Sequence, residues 1–135
     1  MNIAVCLDDN NGMLFCGRRQ SKDRYLRQQL LQLVGPNALW MNAFSAKQFE
    51  DGDAIQIAED FLELAPQGSW CFVENIDVLP YKEQIEQIAI YRWNRLYLSD
   101  VKFPMEAFCK NWQLISTRTF PGYSHDVITE EIYQL

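Results

Sequence analysis

The chain has 135 residues, 48% of them hydrophobic and 13% aromatic, and its 12 basic and 18 acidic side chains leave a net charge of −6. That length suits a single domain over residues 1–135 with a sizeable core, and the composition excludes a disordered chain. The acidic balance argues against general nucleic-acid binding, and no apolar run approaches the roughly 20 residues of a membrane span.

The opening M-N-I-A-V-C-L-D-D carries neither a basic leader segment nor a long apolar one, so a cytoplasmic location is expected. Cys6, Cys16, Cys71 and Cys109 form no CxxC pair and read as reduced thiols. His125 is the single histidine. No metal site is therefore expected. Nor can one histidine supply the HxHxDH cluster of a metal-dependent ribonuclease Z.

In chain order, Asn2 to Leu7 reads as a strand with Ile3, Val5 and Leu7 on one face. Asp8-Asp9-Asn10-Asn11-Gly12 is a turn, and a loop is expected to about Ser21. Ser21 would cap a helix with Asp23 in its first turn. Tyr25, Leu26, Leu30, Leu33 and Val34 give that helix an apolar face, and Gly35-Pro36 ends it. Ala38 to Met41 is a short buried strand, and Asn42 would cap a brief helix reaching Phe49. Asp53 would cap a longer helix, because Ala54, Ile55, Ala58, Phe61, Leu62 and Ala65 fall on one helical stripe.

The stretch S-W-C-F-V-E-N-I-D at 69–77 organises the rest. Trp70, Cys71, Phe72 and Val73 are too few for an ordinary helix and suit a strand buried on both faces. Its carboxyl end, where open α/β sheets bind ligands, carries Glu74 and Asn75. A helix is predicted over 81–88, and a strand within 90–101 with Leu96 and Leu98 on one side. Two strands, over 112–120 and 125–133, flank the turn Phe120-Pro121-Gly122-Tyr123. The expected fold class is α/β: a mainly parallel central sheet with helices on both faces and a C-terminal antiparallel edge hairpin.

Several short motifs fall in an order that resembles the dihydrofolate reductase-like fold. They are Ile3-Ala4-Val5 with Asn11-Gly12-Met13, Leu39-Trp40-Met41, the strand at Trp70 to Val73, and Arg95-Leu96-Tyr97-Leu98-Ser99. Phe103-Pro104, Trp112 and Ile132-Tyr133 follow in the same order. The resemblance implies that Asp23 is the buried carboxylate that assists protonation of a pterin ring, with Ser99 as its supporting hydroxyl. Desolvation would raise the pKa of such an acid. The same resemblance implies a nicotinamide cofactor, NADPH, but its phosphate-binding positions depart from the pattern. Glu74-Asn75 stands where the family has paired glycines, and Asn42-Ala43 where it has glycine-arginine. A side chain there blocks the close approach of backbone to pyrophosphate, and a carboxylate repels it. The segment between Phe49 and Ser69 is also expected to hold one helix where the family has strands and a helix.

Three functions follow. The first is an altered or non-catalytic protein that binds a small anionic, nucleotide- or pterin-like ligand without a cofactor. Its candidate ligand-binding residues are Arg18, Arg19 and Lys22, with Asn42, Glu74 and Asn75 at the strand ends. The second is an NADPH-dependent reductase with a rearranged cofactor site, using Asp23 and Ser99. The third is a homodimeric interaction module using Tyr91, Trp93, Tyr97 and Tyr123. Glu130 and Glu131 are strand neighbours that point to opposite faces and cannot share a site. Glu83 and Glu86 read as a solvated helix face, and His125 as a surface or capping residue.

Overall fold

A computed structural model describes residues 1–108 and 110–134. Cys109, expected to be a reduced thiol, lies outside the described residues. In chain order the elements are β1 (Asn2–Leu7), β2 (Gly12–Phe15), β3 (Arg18–Arg19), α1 (Arg24–Val34), β4 (Leu39–Met41), α2 (Ala43–Ala46), β5 (Ile55–Ile57) and α3 (Phe61–Leu64). There follow β6 (Trp70–Phe72), a 3-10 turn (Leu79–Gln84), β7 (Gln87–Arg92), β8 (Val101–Lys102), a second 3-10 turn (Met105–Ala107), β9 (Gln113–Phe120) and β10 (Ile128–Gln134).

Side-chain alternation builds two cores on one sheet. Ile3, Val5 and Leu7 of β1 face one side with Cys71, Val73, Ile88 and Ile90. Phe61 and Leu62 of α3, with Val78 and Ile85 around the first 3-10 turn, close that side. Ala4 faces the other side with Phe72, Leu39, Met41, Ala89 and Tyr91, beneath Leu26, Leu30 and Val34 of α1. Each of the large side chains buried here contributes about 1.5–3 kcal/mol. The β6 residues Trp70, Cys71 and Phe72 are all buried, as the unbroken apolar run requires.

The main sheet runs β5-β4-β6-β1-β7-β10-β9. Pairings from β5 through β7 are parallel, and β10 lies antiparallel to both β7 and β9. The expected parallel sheet, covered on both faces and ending in an antiparallel pair, is what forms. From β1 the chain moves to β4 on one side, and from β6 it moves to β7 on the other. The adjacent carboxyl ends of β6 and β1 therefore make the topological switch point, where open α/β sheets hold ligands. A small sheet, β3-β2-β8, hangs over this edge.

Several local expectations are corrected. The stripe from Ala54 to Ala65 is not one helix. Ile55–Ile57 pairs in parallel with β4, and only Phe61–Leu64 is helical. Main-chain bonds from Leu39 N–H to the Ala54 carbonyl and from Ala58 N–H to the Met41 carbonyl hold that strand. Sheet pairing outweighs a helical period that three alanines only weakly define. The segment thus holds a strand and a helix rather than the single helix expected.

The helix predicted over 81–88 is a 3-10 turn, and Ile88 already belongs to β7. The following strand is β7 itself, so Leu96 and Leu98 lie beyond it, 64% and 71% exposed. The expected loop before Ser21 folds as the β2–β3 pair. The cap of α1 is Asp23, not Ser21, because the carboxylate takes the N–H groups of Tyr25 and Leu26. The last strand starts at Ile128, leaving His125 in the preceding loop. Asn42 caps α2 as expected, accepting from Ser45 N–H at 3.2 Å.

Gly12 sits where chain segments converge over the switch point. A Cβ there would lie 2.7 Å from Gln20 Nε2, 2.7 Å from Ser99 Cβ and 2.8 Å from Asp8 Oδ2. Gly12→Ala is expected to destabilise the fold by about 1–3 kcal/mol, read as a lower urea midpoint with an unchanged slope.

Candidate functional site

Three buried carboxylates, Asp8, Glu74 and Asp23, are prominent among the groups at or near the carboxyl edge of the sheet. Each is held in a different way. Asp8 opens the turn after β1. Its Oδ1 accepts from the N–H groups of Gly12 at 2.7 Å and Asn10 at 2.8 Å. Its Oδ2 accepts from Gln20 Nε2 at 2.9 Å and Tyr97 N–H at 3.3 Å. Burial pushes the Asp8 pKa up, but the N–H donors of Gly12, Asn10 and Tyr97, with Gln20, bring it below the ordinary value. This knot joins the β1 turn, the β3 exit and the segment after β7.

Glu74 follows β6. Arg19 reaches it from β3 with two bonds, Nε to Oε2 at 3.1 Å and Nη2 to Oε1 at 3.2 Å. Gln48 Nε2 donates to Oε1 at 3.0 Å, and Arg19 Nη2 also donates to the Phe44 carbonyl at 2.7 Å. The guanidinium lies 4.5 Å over the Phe44 ring. This partly buried fork–fork pair ties β3 to the end of β6. Beside it, Asn42 Nδ2 donates to Asn75 Oδ1 at 2.8 Å. Because Asn42 Oδ1 is used as the α2 cap, this contact leaves the amide N–H groups of Asn75 for other acceptors.

Asp23 is the most heavily bonded group. Oδ1 accepts from the N–H groups of Tyr25, Leu26 and Tyr123. Oδ2 accepts from Ser124 N–H at 2.9 Å and Ser124 Oγ at 3.3 Å, and meets His125 Nδ1 at 2.9 Å. Burial works against the charge, yet Tyr123 N–H, His125, Ser124 N–H and Leu26 N–H together hold the carboxyl far below the ordinary range. The expected upward shift of a desolvated acid is thereby reversed. His125 is not a surface residue, since its side chain is only 4% exposed. Its ring stacks on Trp93 with centroids 4.6 Å apart. Its Nε2 meets Ser21 Oγ at 3.0 Å and Tyr97 Oη at 3.1 Å.

The candidate residues are thus divided among separate arrangements. Arg19, Glu74, Asn42 and Asn75 cluster at the end of β6. Arg18 is exposed and stays apart from them, since it neighbours Arg19 in β3 and points to the opposite face, and Lys22 is exposed beyond the strand. Ser99 packs beside Gly12, and the oxygens of Asp23 are taken by residues other than Ser99. His125, Tyr97, Gln20 and Gln48 were not predicted to belong here. The bond from Asp23 to His125 spans 102 residues, and no local pattern marks it.

A cleft of about 280 Å3 remains beside the Arg19–Glu74 pair. Met13, Val78 and Phe103 form its apolar part, and Asn75, Asp77 and Lys102 lie at its polar side. Among the described residues no group of three His, Cys, Asp or Glu side chains is placed to hold a metal ion. Cys6, Cys16 and Cys71 are free, and burial pushes the Cys71 thiol up to about 12. No helix of the described residues is long and apolar enough to cross a membrane.

Neither a family model nor a curated protein matches this chain. Among solved structures it is similar to a dihydrofolate reductase from Enterococcus faecalis complexed with NADP(H) and RAB-propyl. The TM-score is 0.69 at 11% identity, covering 99% of this chain and 95% of that one. A likeness at this identity shows the fold alone, and that fold is dihydrofolate reductase-like, as the motif order implied.

The depressed pKa of Asp23 has a pH consequence. Its stabilisation is fully present above the unfolded carboxylate value of about 3.9 and is lost as pH falls below it. Thermal midpoints taken from pH 6 to pH 2 should fall less steeply for Asp23→Asn than for the parent. At pH 7 that variant should be less stable by about 2–4 kcal/mol, having lost a cap and charge-assisted bonds.

Proposed function

We propose that this chain binds a small anionic molecule on a dihydrofolate reductase-like scaffold and carries out no hydride transfer. The observation that carries this reading is the Arg19–Glu74 fork, with Gln48 and the Phe44 carbonyl, across the end of β6. The reductase of similar fold was solved with NADP(H), and the motif order would put a cofactor pyrophosphate at this strand end. Here the chain's own ion pair fills that position. The carboxylate of Glu74 is neutralised by Arg19, so the obstacle to a nucleotide is steric rather than electrostatic. Asp23 supports the same reading. A carboxylate held ionised by so many donors does not release a proton at neutral pH.

The ligand seat in this reading is the remaining cleft. Lys102 and the free amide N–H groups of Asn75 would take an anionic group, while Met13, Val78 and Phe103 cover a flat apolar body. Arg19 serves the site indirectly by neutralising Glu74, and Arg18 and Lys22 lie outside it.

A ligand selective for the folded chain raises its thermal midpoint. NADPH should give no shift at millimolar concentration. Pterin-6-carboxylate or adenosine 5′-monophosphate should give a saturable one, weakened roughly tenfold by Lys102→Ala, about 1.4 kcal/mol. Saturable NADPH binding would restore the reductase reading. An equal midpoint shift in the Lys102 variant would remove this seat.

A homodimer is the second reading, and one observation favours it. Seven of the eight residues of the edge strand β9 are exposed, Leu114 and Ile115 among them. A long uncovered edge is a template for pairing with another strand. The aromatic surface first considered for this role is smaller than expected, because Tyr91 and Trp93 are core residues and Tyr97 is half-buried. Sedimentation at about 50 μM should show a dimer that Ile115→Lys returns to monomer; a parent that sediments as monomer removes this reading.

A further inference from the structure

We propose that Ser21, His125 and Asp23 form a nucleophilic site that cleaves small carboxylic esters by acyl transfer. The order of contacts is serine Oγ to His125 Nε2 at 3.0 Å, then His125 Nδ1 to Asp23 Oδ2 at 2.9 Å. The gradient of exposure runs the right way. Asp23 is buried, the His125 side chain is almost so, and Ser21 is partly open to solvent. A histidine that only latched its loop would need the Nδ1 bond alone. Here the second nitrogen is also aimed, at a hydroxyl that a substrate reaches from outside.

Each member has a distinct part. Asp23 is a positioning residue: it fixes the proton on Nδ1 and leaves the Nε2 lone pair for the serine. Trp93, stacked on the ring, sets its plane. Ser21 Oγ attacks the ester carbonyl carbon and passes its proton to Nε2. The carbon–oxygen bond to the leaving alcohol breaks, and the imidazolium returns that proton to the alkoxide. Water then attacks the acyl-serine, Nε2 takes a proton from it, and the released Ser21 oxygen recovers that proton as the acid departs. Ser21 is partly buried and lines none of the clefts at Glu74, Asn10 or Tyr81.

Tyr97 Oη lies 3.1 Å from the same Nε2. A neutral ring with its proton on Nδ1 has one lone pair there, so the two hydroxyls compete for it. Removing the tyrosine hydroxyl therefore leaves Ser21 as the one donor to the base.

The probe is diisopropyl fluorophosphate, which forms an oxygen–phosphorus bond with an activated serine and releases fluoride. Intact-protein and peptide mass spectrometry should place one adduct, on Ser21. Ser21→Ala should lose it, His125→Gln should slow it by at least 100-fold, and Tyr97→Phe should label as fast as the parent or faster. Hydrolysis of p-nitrophenyl acetate should follow the same order. A variant that keeps the loop intact guards against misfolding of His125→Gln. Ser21→Cys should react with iodoacetamide at pH 7 at least tenfold faster than the exposed Cys16 of the same molecule. No adduct on the parent, an adduct elsewhere, or equal rates for the two thiols would each overturn the proposal.

Discussion

The Asp23 carboxylate ties together parts of the chain that no strand pairing joins. It caps α1 through Tyr25 and Leu26, and it gathers Tyr123, Ser124 and His125 from the loop before β10. That loop connects the two antiparallel strands at one edge of the sheet, whereas α1 packs on its face. Six donors on one buried carboxylate offset a desolvation cost of several kcal/mol. Once the loop is fixed, His125 is stacked on Trp93 and its far nitrogen is carried to Ser21 and Tyr97. The helix start, the edge hairpin and the segment after β7 then share one hydrogen-bonded centre.

The three buried acids show how an acidic chain can place charge at a sheet edge without matching cations. Only Glu74 has a guanidinium. Asp8 and Asp23 are satisfied chiefly by backbone N–H groups in turns and at a helix start, which carry the positive ends of peptide dipoles. Glu130 follows the opposite design. It lies in β10 and takes Tyr91 Oη at 2.8 Å and two bonds from Arg118, while its neighbour Glu131 pairs with Arg92 on the other face. The opposition of these two glutamates is a direct result of strand periodicity.

Legibility in the sequence followed the range of the physics. β1 and β6 were readable because alternation and an unbroken apolar run are local, and their burial on both faces implied the parallel sheet. The Asn42 cap was readable for the same reason. The strand at Ile55–Ile57 was not, since its identity depends on β4 lying alongside it. Glu74 was legible as a departure from a glycine and as a carboxylate that repels phosphate, but its partner Arg19 lies 55 residues away, so the pairing was not. Asp23 was singled out by motif order alone. Its environment, and the part played by His125, rest on contacts across about a hundred residues.

Arg19 and Asp23 stand four residues apart, yet they fix opposite sides of the same edge. The guanidinium pulls the β2–β3 hairpin toward β6, and the carboxylate holds the start of α1 to the loop at 121–127. Ser21 lies between these two anchors. A residue bounded so closely on both sides loses little freedom when its hydroxyl meets Nε2, because folding has already paid the entropy of ordering it. Gln20, bonded to Asp8 and to the Leu98 carbonyl, removes the remaining slack. The segment around Ser21, where a loop was expected, is therefore pinned at 19, 20 and 23, and the geometry around Ser21 is a property of the fold rather than of one side chain.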